Sequence, residues 1–61
     1  MTDLERHIIS LLKRGPYMLM EIARYCRPQS ADDVERTLRT MESSGTVRYL
    51  PAVGLYALVA E

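Results

Sequence analysis

The feature that most narrows what this chain can fold into is a change of hydrophobic period at Gly45. Before it, apolar residues recur at helical spacing; after it, Thr46-Val47-Arg48-Tyr49-Leu50 and Leu55-Tyr56-Ala57-Leu58-Val59 form two β-branched and aromatic-rich runs of period two. Pro51-Ala52-Val53-Gly54 between the runs supplies turn residues. The C-terminal part therefore reads as a short hairpin over residues 46–59.

Upstream, three helices are predicted. Thr2-Asp3-Leu4-Glu5 has the form of a capping box, and Leu4, Ile8, Leu11 and Leu12 follow at i, i+4, i+7 and i+8, with Ile9 widening the stripe. Lys13 and Arg14 suit the negative end of the helix dipole, and Gly15-Pro16 stops the helix. Pro16-Tyr17-Met18 reads as extended. Leu19 to Cys26 reads as a short second helix with Ile22, Ala23 and Cys26 inward, entered without a good N-cap residue. Arg27-Pro28-Gln29 breaks the chain, and Ser30 with Asp32 and Asp33 opens a third helix at about 31–44. Its apolar seam is Val34, Leu38 and Met41, and Ser43-Ser44-Gly45 ends it. Met18, Met20 and Met41 read as core filler; exposed, Met18 and Met20 would mark an adaptable protein-binding surface instead. Tyr56 reads as core, and Tyr17 and Tyr25 as half-buried packing residues.

Length and composition bound the function. A chain of 61 residues makes a single domain, 1–61, and buries only about 60% of the surface its unfolded form exposes, which leaves little room for a catalytic cleft. Cys26 is the sole cysteine, so no internal disulfide and no Cys/His metal set is available; His7 has no acidic or cysteine partner at ligand or catalytic spacing. Asp32 and Asp33 are helix neighbours that do not face each other. No enzyme activity, cofactor or metal is expected. The longest apolar stretch, Val53 to Ala60, is far short of a membrane span, and no charged-then-apolar signal segment opens the chain. A cytoplasmic protein that does not enter membranes is expected.

Three helices followed by a hairpin, with the second and third helices joined across a short break, resemble the winged helix-turn-helix superfamily. The resemblance rests on Glu21-Ile22-Ala23 in the second helix and Val34 and Leu38 in the third. It continues through Met41-Glu42-Ser43-Ser44-Gly45-Thr46-Val47-Arg48 and ends at Tyr56-Ala57-Leu58 in the closing strand. It implies an α+β fold and a small DNA-binding transcriptional regulator, the third helix lying in the major groove and the hairpin serving as wing. Carried onto this chain, Arg36 and Arg39 would be the main helix contacts, Gln29 and Ser30 would help at the helix entry, and Arg27, Arg48 and Tyr49 would touch the backbone. Arg24 belongs to the same candidate basic face, and five arginine contacts would give a log–log salt slope of about −4 to −5.

Charge gives a competing expectation. The chain is neutral overall with a pI near 6.6, whereas DNA-binding domains are commonly strongly basic. Residues 13–29 carry Lys13, Arg14, Arg24 and Arg27 against Glu21, a net of +3; residues 30–46 carry Arg36 and Arg39 against Asp32, Asp33, Glu35 and Glu42, a net of −2. The third-helix tip, which would enter the groove, is thus acidic. The spacings Asp32–Arg36 and Glu35–Arg39 also allow each arginine to be partly neutralised within its own helix. The alternative is a winged-helix protein-interaction module whose acidic third helix meets a basic partner without binding DNA. With no helix outside the three-helix core, a monomer or weak homodimer is expected.

Overall fold

A computed structural model describes residues 1–59; Ala60, which ends the apolar run Val53–Ala60, and Glu61 lie outside the described residues. The order is α1 (Asp3–Leu12), α2 (Leu19–Tyr25), α3 (Ala31–Ser43), β1 (Val47–Leu50) and β2 (Leu55–Leu58). This is an α+β domain of three helices followed by an antiparallel hairpin, the winged-helix layout expected from the sequence. No helix among the described residues is long and apolar enough to cross a membrane.

Each helix starts and stops for local reasons. The Thr2 hydroxyl accepts from the Glu5 N–H at 3.1 Å while the Glu5 carboxylate accepts from the Thr2 N–H at 2.8 Å, completing the capping box of α1. Lys13 caps the C-terminal end of α1 and Arg14 lies just beyond it, so both follow the last helical turn rather than occupy it. The entry to α2 has half a capping box: Met18 offers no oxygen, but Glu21 accepts from the Met18 N–H at 3.1 Å. Ser30 caps α3 by accepting from the Asp33 N–H at 3.1 Å. At the far end of α3, the Thr46 N–H donates to the Met41 carbonyl at 2.8 Å and the Gly45 N–H to the Glu42 carbonyl at 3.1 Å. That Schellman arrangement requires a left-handed residue, and Gly45, at φ +82°, supplies it.

The helical seams and the hairpin meet in one core: Ile8, Leu11 and Leu12 from α1, Ile22, Ala23 and Cys26 from α2, Val34, Leu38 and Met41 from α3, and Val47 from β1. Leu4, Ile9, Tyr17, Leu19, Tyr56 and Leu58 pack around it, partly buried. The hairpin register pairs Val47 with Leu58 and Tyr49 with Tyr56. Tyr17, in the extended segment after α1, adds a further rung by pairing with Tyr56.

Two packing expectations are corrected. Met18 and Met20 are exposed, at 48% and 60%, not core filler; Met41 is buried as expected. Met20 precedes the inward Ile22 by two positions, about 200° around the helix, so burying Ile22 turns Met20 outward. Tyr25, the last residue of α2, is also more exposed than half-buried, at 54%. Tyr56 is half-buried at the edge of the core.

Candidate nucleic-acid interface

The side chains expected to meet nucleic acid fall on three separate surfaces. Arg27 and Gln29 share a cleft of about 220 Å³ with Met20, Ala23 and Arg24 of α2 and Ala31 at the start of α3. Met20 and Arg24 lie one turn apart on α2, and Arg27, just past the Cys26 cap, brings a second guanidinium to the same cleft at the entry of α3. Neither arginine has a carboxylate within 4.0 Å among the described residues, and no acidic side chain lines this cleft. Ser30 stands beside it, its hydroxyl oxygen occupied as the α3 cap. Arg24, exposed here with Arg27, was legible only as part of a diffuse basic face; its helical spacing from Met20 is the signal that joins those two.

Arg36 and Arg39 lie together on the outward face of α3, with Asp32 and Glu35 lining the same shallow groove. Both arginines are held by their own helix. Arg39 meets Glu35 at 2.9 Å as the i, i+4 spacing implied. Arg36, however, meets Asp33 at 3.4 Å, not Asp32: the short aspartate side chain one turn back reaches the guanidinium at i, i+3. Asp32 is thereby left outward at the tip without an ion-pair partner among the described residues.

The hairpin divides the remaining two. Tyr49 and Tyr56 are register partners whose ring centroids lie 5.0 Å apart, on the hairpin face that also carries buried Val47. Strand alternation sends Arg48 to the hairpin face opposite Val47 and Tyr49. The Tyr56 hydroxyl is pushed above its ordinary pKa, first by burial and then by the carboxylates of Glu42 and Glu35, partly countered by Arg39. Glu35, Glu42 and Arg39 of α3 are thus the charged groups felt by the Tyr56 hydroxyl, and Arg36 and Arg39 are each paired with a carboxylate of their own helix.

Elsewhere, Cys26 is buried at 2% exposure and its thiol is pushed up in pKa by burial. That fits a small core residue rather than a nucleophile. Comparison of the chain with protein-family models, with characterised proteins and with solved structures gives no match.

Proposed function

We propose that this domain binds duplex DNA as a winged helix, with a footprint centred on the entry of α3 rather than spread over α3 and wing together. The observation that carries this reading is the pair Arg24 and Arg27. They are cationic, exposed and uncommitted, and they sit with Gln29 against the start of a helix whose outward face is open. Phosphate neutralisation by these two, and by Arg48 on the wing, supplies affinity without sequence information. Arg36 and Arg39 join by exchanging a helix carboxylate for a phosphate, an exchange opposed by little because exposed ion pairs are worth only about 0–1 kcal/mol. A carboxylate then serves specificity: Asp32, unpaired at the helix tip among the described residues, accepts a hydrogen bond from a cytosine amino group and repels most other contacts. Regulation of transcription is the role this mode of binding fits.

The test is a titration against mixed duplexes at several salt concentrations. Binding whose log–log salt slope is about −3 to −5, and which weakens strongly when Arg24 and Arg27 are both changed to Ala, supports the reading. Absence of binding at low salt, or binding indifferent to those changes, defeats it.

A specific observation favours a second reading. Met20 exposes large, adaptable apolar surface in the same cleft as the arginines, and Met18 at the entry of α2 is exposed as well. A methionine contributes little to phosphate binding, whereas an apolar centre rimmed by two guanidinium groups suits an acidic protein segment with an apolar anchor. Loss of partner capture in Met20→Ala, with duplex binding absent throughout, selects this alternative.

A further inference from the structure

We infer that the cleft between α1 and the end of α2 is a binding site for a small phosphate-bearing ligand, distinct from the proposed DNA footprint. The cleft holds about 190 Å³ and is lined by His7, Ser10, Leu11 and Arg14 from α1 and its exit, and by Tyr25 from α2. The α1 residues recur at i, i+3, i+4 and i+7, which places them along one stripe, and Tyr25 closes the far wall. Leu11, nearly buried, forms the apolar floor.

Four polar groups therefore converge on one small volume: an imidazole, a hydroxyl, a guanidinium and a phenol. Each has a hydrogen to donate. None of these four side chains has a hydrogen-bond or ion-pair partner among the described residues. Among the described residues, no carboxylate lines the cleft. This sets it apart from the α3 groove, where every arginine faces its own acid. A permanent cation surrounded by further hydrogen-bond donors is matched by a compact oxyanion with several acceptor oxygens, and a guanidinium fork meets two phosphate oxygens at once.

The ends of α1 and α2 bring partial negative charge nearby, and several of the carbonyls there are already hydrogen-bonded. Lys13, Arg14 and Gly15 donate to Ile9, Leu11 and Leu12, and Cys26 donates to Ile22 and Ala23. Each helix end carries at most about half a charge, which falls off within the last turn, whereas Arg14 places a full positive charge at the rim itself. Tyr25 is also held in place. Its ring meets Tyr17 edge-on at 5.9 Å, and Tyr17 is fixed by its backbone pairing with Tyr56. The wall is therefore preorganised.

The experiment is an NMR titration of the isotope-labelled full chain with inorganic pyrophosphate, against sodium chloride at equal ionic strength and, separately, a short duplex. The expected result is saturable shifts confined to His7, Ser10, Leu11, Arg14 and Tyr25 with pyrophosphate and absent with chloride. Arg14→Gln should weaken binding roughly tenfold, as expected for loss of one charged hydrogen-bonding partner. Arg24→Gln should leave it unchanged, and Tyr25→Phe should weaken it less than Arg14→Gln does. All these variants are at exposed positions, and a retained amide spectrum shows that they fold. Shifts that grow linearly and equally at Arg24, Arg27 and Arg48 overturn the site as diffuse ionic attraction. A cleft that responds to the duplex but not to pyrophosphate also overturns it, assigning Arg14 to the DNA backbone instead. Failure of duplex binding leaves the pyrophosphate result standing, so the two readings fail separately.

Discussion

Tyr17 and Tyr56 exchange both backbone hydrogen bonds: the Tyr17 N–H donates to the Tyr56 carbonyl at 3.1 Å, and the Tyr56 N–H donates to the Tyr17 carbonyl at 2.8 Å. A two-stranded hairpin alone is marginal in water. This one is secured by packing on α1 and α3 and by a third chain segment laid along β2. The pairing also fixes the residue just before Met18, the cap of α2, and so ties the hairpin to the helix that carries Arg24.

Removing the Tyr17 donor should expose the worth of that link. Tyr17→Pro deletes the N–H and leaves the Tyr56 carbonyl without it, whereas Tyr17→Ala keeps the backbone and loses the ring. The proline variant should be the less stable by about 1–2 kcal/mol. For a domain of this size each kcal/mol is about 4–8 °C of melting midpoint. Equal midpoints for the two variants would show that the rung contributes nothing.

Glu35 should restrain DNA affinity while adding little to stability. The Glu35–Arg39 contact is short, but the side chains are 39% and 73% exposed, and such pairs contribute about 0.3–0.5 kcal/mol in a helix. Glu35→Gln is therefore expected to melt within a few degrees of the parent. Its duplex binding should tighten severalfold, because Arg39 then reaches a phosphate without first giving up a carboxylate. Weaker binding at every sequence would place Glu35 in direct base contact instead.

The capping box of α1 should make stability sensitive to acid. The Thr2 backbone N–H, and then its hydroxyl, hold the Glu5 carboxyl below its ordinary value of 4.5. A group whose folded pKa is depressed contributes stability above its unfolded pKa and loses it as pH falls through the folded value. The midpoint difference between the parent and Glu5→Gln should therefore be full at pH 6 and shrink below about pH 4.5. A difference that stays constant down to pH 2 would remove Glu5 from the account.

Cys26 should report global opening. Because it is buried and its thiol is held in the neutral form by burial, reaction with a thiol reagent at pH 7 should be far slower than for a free cysteine. The rate should rise in parallel with unfolding in urea. Fast labelling in the native state, at the rate of a small-molecule thiol, would contradict the packing of α2.

Local chemistry was legible in the residues themselves. The Thr2–Glu5 box, the Ser30 cap, Gly45 at the end of α3 and the turn at Pro51–Gly54 depend on neighbours within a few positions, so they are written in short-range pattern. The ten buried core residues also follow from periodicity, because a helix that buries one stripe has only one way to turn. The candidate site was legible as a set of residue types and not as a surface. Arg36 and Arg39 were recognisable as outward, and the Glu35–Arg39 pair as available, but which aspartate holds Arg36 depends on rotamers that spacing alone does not choose.

The sequence by itself determined the order of the elements, where each helix begins and the apolar stripe that each buries, since capping and periodicity act over one or two turns. Only the tertiary structure decided which faces look at one another: Met20 outward beside Arg24 and Arg27, Tyr17 against Tyr56, and Tyr25 across from Arg14. Those relations join residues far apart in the chain, and they are set by how separate helices and strands dock when their buried stripes share one core.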